Sequence, residues 1–163
     1  MIRIISAENK SDYITIETLG RTIWEHHYTP IIGKAQVDYM LEKYQSVPAI
    51  TEQVETGYCY YLLNFNQKTV GYIAIKPEVE ALFLSKIYVL YDYRGKGIGK
   101  SAIQFIEAEA ARLNLPKIRL TVNRDNSNSI KAYEKIGFKK TGELVTDIGN
   151  GFVMDDLLMA KLV

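Results

Sequence analysis

The sequence is most constrained at residues 82–113, where an apolar run, a glycine-rich stretch and a helical pattern follow one another directly. Residues 82–91, LFLSKIYVLY, have the apolar and β-branched composition of a strand. The stretch 94–100, RGKGIGK, comes next, and after it apolar side chains recur at helical spacing. These apolar positions are Ile98, Ala102, Phe105, Ile106, Ala110 and Leu113. The pattern predicts a strand that enters a helix through a tight turn.

Stretch 94–100 has the residue types of an anion-binding turn. Its three alternate glycines permit positive φ angles and let the backbone approach a ligand closely. The free NH groups of a helix start favour an anion, and three cations add formal charge. We therefore expect a phosphate or diphosphate here, whereas the structural alternative is a flexible turn with solvated lysines. The residues expected to form the site are Arg94, Gly95, Lys96, Gly97, Ile98, Gly99 and Lys100.

The glycine spacing distinguishes this stretch from two other phosphate-binding motifs. The stretch fits neither the P-loop pattern G-x-x-x-x-G-K-[ST] nor the dinucleotide pattern G-x-G-x-x-G. It resembles instead the pyrophosphate loop of the GCN5-related N-acetyltransferases (GNAT family), [RQ]-x-x-G-x-[GA] after a strand. Arg94, Gly97 and Gly99 occupy the three fixed positions of that motif.

A second stretch, residues 126–138, resembles the same family. Its sequence NSNSIKAYEKIGF matches the family pattern N-x-x-A-x-x-x-Y-x-K-x-G-F, except that Ser129 stands where alanine is usual. Asn126 is expected to cap the helix that follows, to contact the cofactor, or to do both. Tyr133 shares a helix face with Ile130, which fits a core tyrosine. The resemblance implies a different role, in which the Tyr133 hydroxyl is the catalytic acid that protonates the departing thiolate.

The resemblance also implies a fold and a co-substrate. The fold is α/β, with a mixed, mostly antiparallel sheet of about seven strands flanked by helices. The sheet is expected to splay between its fourth and fifth strands and to hold acetyl-CoA in the cleft. Backbone groups near Ile87, Tyr88 and Val89 would bind the pantetheine arm and polarise the thioester carbonyl. An amine would attack that thioester directly, in a ternary complex and without a covalent enzyme intermediate.

Periodicity and turn residues predict the other elements. Asn9 or Ser11 is placed to cap the first helix, and an irregular stretch is expected from Tyr28 through Pro30 to Gly33. The expected strands are residues 2–6, 58–65, 69–76, 82–91, 118–122, 138–147 and 152–161. The first helix is expected to end near residue 27, and the others to span 34–45, 48–57, 97–113 and 127–136.

Length and composition favour one compact domain, residues 1–163. The net charge of +1 is too small for a protein that binds nucleic acid by neutralising phosphates. The lone Cys59 excludes an internal disulfide and a Cys-rich metal site, so we expect no metal, a buried thiol and a cytoplasmic location. Neither a long apolar run nor a leader is recognisable, which argues against a membrane protein. The sequence leaves open whether the protein is a monomer or a homodimer.

The base that would free the attacking amine is not evident. Many relatives carry a glutamate where this sequence has Phe83. The candidates are Glu80, near the same strand, and Glu25, His26 and His27 at the end of the first helix. Each of them is equally well explained as a solvated side chain.

Charge distribution and a narrower resemblance suggest the acceptor. Residues 1–60 hold 5 Lys or Arg and 8 Asp or Glu, a net charge of −3, whereas residues 61–163 hold 15 and 11, a net charge of +4. Residues 22–46 resemble bacterial spermidine/spermine N-acetyltransferases, which implies a polyamine acceptor. The residues expected to bind it are Glu25, His26, Glu52 and Glu55.

Two alternatives to a polyamine acetyltransferase follow from the same sequence. The acceptor could be a protein N-terminus or a lysine side chain, which would need an open groove. A protein of another class would bind acyl-CoA as a sensor without turnover. Intact Tyr133 and Asn126 argue against the sensor, because binding alone needs no acid at the sulfur.

Overall fold

The computed structural model describes all 163 residues, which form one sheet, six helices and one 3-10 turn. The strands are β1 (Ile2–Ser6), β2 (Cys59–Phe65), β3 (Lys68–Pro77), β4 (Leu82–Val89), β5 (Lys117–Asn123), β6 (Lys139–Gly149) and β7 (Phe152–Leu162). The helices are α1 (Lys10–His27), α2 (Thr29–Ile32), α3 (Lys34–Gln45), α4 (Val47–Glu55), α5 (Ile98–Arg112) and α6 (Ser127–Ile136). The 3-10 turn covers Tyr91–Tyr93, just after β4.

The seven strands form a mixed sheet in the order β1-β2-β3-β4-β5-β7-β6. All neighbouring strands are antiparallel except β4 and β5, which are parallel. These two central strands pair only at Leu82 with Ile118 and at Phe83 with Arg119, and they separate beyond that point. Both the mostly antiparallel sheet and the splay between the fourth and fifth strands are therefore confirmed.

Helices cover both faces of the sheet because its strands alternate in side-chain direction. On β3, Ile73 packs on the face covered by α5, whereas Tyr72 and Ala74 pack on the face covered by α1 and α4. The predicted stripe of α5 is buried at Ile98 and Ala102, among other positions. The two covered faces leave the line between β4 and β5 as the place where the sheet itself opens.

Helix α1 is the longest helix and packs one side against the sheet. Asn9 caps it in a capping box with Asp12, so the expectation of an Asn9 cap is confirmed. Gly20 lets the helix lie close to β3, since a Cβ at that position would be 2.8 Å from the Tyr72 hydroxyl. None of the helices is both long and apolar enough to cross a bilayer.

Two local expectations are wrong. The stretch after residue 28 is not irregular, because Thr29–Ile32 forms the short helix α2 with Pro30 in its first turn, where a missing NH costs nothing. Cys59 is exposed instead of buried. It is the first residue of β2 and lies beyond the last β1 pair, Ser6 with Tyr61, so no neighbouring strand covers it on that side.

Candidate active site

A cavity of about 410 Å³ lies where β4 and β5 separate. The two strands line it with Phe83–Tyr88 and Leu120–Asn123. The remaining wall comes from α1 to α4, from α6 and from β7. Its polar and aromatic side chains include Trp24, Tyr28, Tyr44, Gln45, Gln53, Tyr58, Lys86, Asn126, Ser129, Tyr133 and Asp156.

The edge of β4 that faces the cavity has no strand partner beyond Phe83. Ile87 and Tyr88 line the cavity, and Val89 pairs with Gly71 of β3 on the other side. A side chain at Gly71 would overlap the Tyr88 carbonyl, so glycine allows β3 to approach β4 here. Strand backbone groups without a strand partner need another one, which an extended ligand with amide groups can supply. The three residues expected from sequence to face the pantetheine arm therefore lie at the open edge.

The glycine-rich turn adopts the expected shape at two of its three glycines. Gly95 has a φ of 76° and Gly97 a φ of 82°, both in the left-handed region. Gly99 does not have a positive φ, contrary to expectation, because it already belongs to the first turn of α5. No atom lies within 4 Å of the position that a Cβ at residue 99 would occupy, so Gly99 leaves space beside the first turn of the helix. The helix start is thus open to a ligand.

The start of α5 is positively charged and uncapped. Gly97 is its N-cap and supplies no side-chain hydrogen bond to the first NH groups. Arg94, Lys96 and Lys100 are exposed, and none of them pairs with a carboxylate of this chain. Ile98 is buried and anchors the turn to the core. Uncapped NH groups and three unpaired cations together are complementary to a diphosphate.

Tyr133 of α6 lines the cavity, with its ring edge-on to Phe138 at 5.6 Å. Its hydroxyl has no hydrogen-bond partner in the chain, although the side chain is mostly buried. Burial, and then the neighbouring Tyr28, raise the pKa of the Tyr133 hydroxyl above its ordinary value. The hydroxyl therefore stays protonated at neutral pH and can donate to negative charge that develops in the cavity.

Asn126 is buried and does not cap α6 with its side chain, so that expectation is wrong. The amide turns toward the end of α1 instead. Its oxygen lies 3.1 Å from His27 Nε2, and its nitrogen donates to the Tyr28 hydroxyl at 3.2 Å. Burial lowers the pKa of the His27 imidazole. The Asn126 side chain thus joins α1 to α6 beside the cavity.

The structure does not bring the sequence-predicted acceptor carboxylates into the cavity. Glu25 is exposed and lies 3.6 Å from Arg21, and Glu52 and Glu55 are exposed on α4. Glu80 is exposed in the turn before β4. The three helical carboxylates point outward from α1 and α4, where they stay hydrated.

His26 is exposed and lines a second hollow of about 370 Å³, outside the cavity. Its ring stacks 4.7 Å from Tyr91, and Lys68 and Arg94 line the same hollow. Phe83, in contrast, does line the main cavity. The Phe83 ring lies 4.1 Å from the Arg119 guanidinium.

Sequence reasoning missed Lys86, a buried lysine of β4 that lines the cavity. Its ammonium donates to the Tyr44 carbonyl at 2.5 Å and to Gln53 Oε1 at 3.0 Å, and it also contacts the Tyr60 hydroxyl. Burial lowers the pKa of Lys86 to about 7, because no carboxylate compensates the charge. The signal in the sequence is a lysine inside the apolar run LFLSKIYVLY.

We predict that Lys86→Met stabilises the protein most at low pH. The contribution of Lys86 to the stability of wild type falls as the pH drops from 10.5 to about 7 and is constant below that, because the folded pKa lies below the unfolded value and the unfolded chain binds more protons in between. Methionine removes that cost, and Tyr60 and Gln53 still pair with each other. Thermal unfolding at pH 7 should show a Tm higher by about 5 °C, with the difference shrinking toward pH 10. The exposed Lys135→Met is the control, and a Tm difference independent of pH contradicts the prediction.

Asp156 of β7 is the second charged residue that sequence reasoning missed. It is 6% exposed and lines the cavity, and burial raises its pKa to about 6. It is one of two adjacent aspartates in an alternating strand, so one of the pair had to face inward. Lys86 and Asp156 are the only charged side chains that line the cavity. No three His, Cys, Asp or Glu side chains are grouped closely enough to hold a metal ion.

Comparisons with known proteins agree with this geometry. The model of the Acetyltransferase (GNAT) family matches residues 21–138, which include the turn at 94–100, Asn126 and Tyr133. A spermidine N(1)-acetyltransferase of Thermoplasma acidophilum is 28% identical over 159 residues, 94% of each chain. A peptidyl-lysine N-acetyltransferase of Salmonella typhimurium is 33% identical over 91 residues, 55% of this chain and 56% of the relative.

Solved structures share the whole fold. The crystal structure of PaiA N-acetyltransferase from Thermoplasma acidophilum in complex with coenzyme A has a TM-score of 0.82 and 21% identity, and the match covers 100% of this chain and 99% of that one. The protein is therefore an N-acetyltransferase that uses acetyl-CoA. The chain belongs to the acetyltransferase (GNAT) family.

Proposed function

We propose that the protein transfers the acetyl group of acetyl-CoA to a primary amine of a polyamine such as spermidine or spermine, in a ternary complex. The observation that carries the transfer step is the juxtaposition, in one cavity, of the open β4 edge and the unpartnered Tyr133 hydroxyl. No nucleophilic Ser or Cys paired with a base lines that cavity, which favours direct attack by the amine over a covalent enzyme intermediate.

The proposed residue roles follow the geometry. Acetyl-CoA supplies the activated acetyl thioester. The turn at 94–100 binds its diphosphate through the uncapped start of α5, and the backbone of residues 87–89 binds its pantetheine amides. Asn126 orients the wall of the cavity through His27 and Tyr28, and Tyr133 donates a proton to the sulfur.

A polyamine acceptor is supported by the charge distribution and by the relative that matches along nearly the full chain, a spermidine N(1)-acetyltransferase. On this proposal the reactive end of the acceptor enters the cavity, and the distal ammonium groups stay outside it. Glu25, Glu52 and Glu55 are exposed, and they would attract a polycation through solvent. On the same proposal, the exposed His26 side chain contacts the acceptor from the second hollow.

One observation favours a second candidate, an amine of a peptide. The cavity offers a single carboxylate, Asp156, which suits an acceptor with a single ammonium group. The relative from Salmonella typhimurium is a peptidyl-lysine N-acetyltransferase. The family and the named relatives are acetyltransferases, which argues against an acyl-CoA sensor without turnover.

A thiol-release assay with acetyl-CoA tests the acceptor directly. The panel is spermidine, spermine, putrescine, free amino acids, an aminoglycoside, and peptides with a free N-terminus or an internal lysine. We predict the highest kcat/KM for spermidine or spermine, and a higher spermidine KM in the triple variant Glu25→Gln, Glu52→Gln, Glu55→Gln, with kcat retained. Added salt should raise the same KM, because these carboxylates are exposed. If a peptide reacts far faster than any polyamine, the polyamine proposal is wrong, whereas the proposed acetyl transfer to an amine still holds.

Two further proposals concern the chain as a whole. We infer that residues 1–163 act as a single acetyltransferase domain, since one sheet runs from β1 near the start to β7 near the end. The unpaired, exposed Cys59 suits a reducing compartment, so we propose a cytoplasmic location.

A further inference from the structure

Asp156 is a buried carboxylate at the mouth of the gap between the two halves of the sheet. It pairs across the sheet with Asn123 of β5 on one side and with Leu144 of β6 on the other. Because β5 has already separated from β4 at Asn123, the Asp156 side chain has cavity beside it where another strand would otherwise lie. The residue is 6% exposed and lines the same cavity as Tyr133.

No group of the chain compensates the charge of Asp156. It forms no ion pair and accepts no hydrogen bond from a side chain. Its neighbour Asp155 points to the other face of β7, where it accepts from Arg124 Nε at 3.2 Å. Of these two consecutive aspartates, Asp155 is ion-paired at the surface, whereas Asp156 faces the cavity without an ion-pair partner.

An unpaired buried carboxylate is costly, because its charge loses hydration without gaining a partner. Burial, and then repulsion from Asp155, raise the pKa of Asp156 to about 6, so the group is still ionised at neutral pH. An asparagine of the same shape would avoid this cost. A ligand cation that enters the cavity would pair with the carboxylate and remove the cost of its burial. The acceptor of an N-acetyltransferase arrives as such a cation, an ammonium.

We propose that Asp156 binds the reactive ammonium of the acceptor and removes its first proton. The inference rests on the proposed transfer to a primary amine and adds the residue that activates this amine. It holds for a polyamine or a peptide amine alike, because only the reacting nitrogen is involved.

The proton balance is complete with two residues. An Asp156 oxygen takes one proton from R–NH3+, which leaves a neutral amine and a protonated carboxyl. The nitrogen lone pair forms the C–N bond as the C–S bond breaks, the sulfur takes the Tyr133 proton, and the second nitrogen proton moves to the Tyr133 oxygen. Asp156 then loses its proton to solvent, so each acetyl transfer releases one proton.

Few other titratable groups face Asp156. Asn123 and Leu144, its neighbours on β5 and β6, do not titrate. The charge of Asp156 interacts with Tyr28, just after α1, and with Asp155 on its own strand. Tyr133 of α6 lines the same cavity, and His27 contacts Asn126, which lines it too. Burial raises the pKa of both tyrosines, so they stay neutral at neutral pH, and it lowers the pKa of His27, which favours the neutral imidazole. Lys86, with a pKa of about 7, lines the same cavity on β4.

The test compares Asp156→Asn with Asp155→Asn in the full-length protein, with spermidine and with a lysine peptide as acceptors. For whichever acceptor wild type uses, Asp156→Asn should lower kcat/KM by about 10²-fold or more, the scale of a lost general base. Asp155→Asn should change it by less than about threefold, because it breaks an exposed ion pair and removes only the smaller of the two causes that raise the pKa of Asp156. The wild-type pH profile should fall below an apparent pKa near 6, and Asp156→Asn should lose this acid limb.

A binding readout keeps the proposal testable without turnover. Asparagine removes the buried charge, so the Tm of Asp156→Asn should equal or exceed that of wild type, and acetyl-CoA affinity should be unchanged. In protein labelled with 13C-aspartate, the pKa of Asp156 should lie near 6 and fall when spermidine is added to the complex with coenzyme A, which has no acetyl group to transfer, because an ammonium favours the carboxylate.

The results distinguish the role of Asp156 from the acetyl transfer itself. Equal kcat/KM and an intact acid limb in Asp156→Asn overturn the role of Asp156, while acetyl transfer by wild type stands. Absence of thiol release with every amine overturns the proposed function, and the carbon-13 titration then decides whether Asp156 still binds an ammonium. A pKa that does not respond to spermidine or to the peptide overturns that binding as well.

Discussion

Replacing Tyr133 by phenylalanine is expected to lower turnover by about 10²-fold or more, the scale of a lost general acid. The hydroxyl lies in the cavity without a partner, and burial keeps it protonated. The ring still packs against Phe138 in the variant, so the fold and the acetyl-CoA affinity should change little. Steady-state kinetics with acetyl-CoA and the best acceptor of the panel would measure the loss in kcat, and calorimetry would measure the affinity.

The matched control is Tyr61→Phe. Tyr61 lies on β2, packs against Phe105 of α5 at 4.9 Å, and is outside the cavity. Tyr61→Phe removes the same hydroxyl oxygen, and we expect no effect on turnover. Should Tyr133→Phe turn over like wild type when chemistry limits the rate, Tyr133 would be a core residue and nothing more.

A glutamate at position 99 is expected to weaken acetyl-CoA binding by about 10²-fold and to leave the fold as stable as before, or more so. Gly99 is in the first turn of α5, where a carboxylate stabilises the helix dipole and any side chain is a better helix former than glycine. The same carboxylate would stand at the open helix start proposed to receive the diphosphate, and like charges there cost several kcal/mol. Stability and binding should therefore move in opposite directions.

Gln104→Glu is the control for this variant. Gln104 is exposed on the same helix, beyond the first turn, and the substitution changes the charge by the same amount. Calorimetry should give it a wild-type Kd. Gly97→Val would be a poorer test, because a valine at a φ of 82° strains the backbone and confounds binding with folding. Unchanged affinity in Gly99→Glu would place the diphosphate elsewhere.

The sequence was sufficient for features that depend on local patterns. The alternation of residues 69–76 and the stripe from Ile98 to Leu113 each identify an element by its own period. The turn at 94–100 is predictable for the same reason, since the backbone freedom of its glycines and the charge of its cations are local properties of the sequence. Gly99 is the exception, because whether it lies before or inside the helix is decided by where the helix packs.

The cavity was harder to predict because its residues meet only through the sheet topology. Lys86 and Asp156 are 70 positions apart, on β4 and β7, and only the order β4-β5-β7 places them at one cavity. Glu25, Glu52 and Glu55 share an acidic third of the sequence, but their helix faces keep them in solvent. Charge totals say how many carboxylates a segment has, whereas pleat and helix phase decide which of them face a ligand.

The two residue pairs that join β4 to β5 also bear on how the protein comes apart. They divide the sheet into β1–β4 and β5–β7–β6, whose shared backbone hydrogen bonds are confined to one end of the seam. Each half can keep its own ladder while the seam opens, so native-state hydrogen exchange should resolve two cooperative units. A ligand whose amides pair with the free edge of β4 would replace part of the missing ladder. Binding of this ligand would then slow amide hydrogen exchange along the seam. The two halves of the sheet would be joined along the whole seam only while the co-substrate is bound.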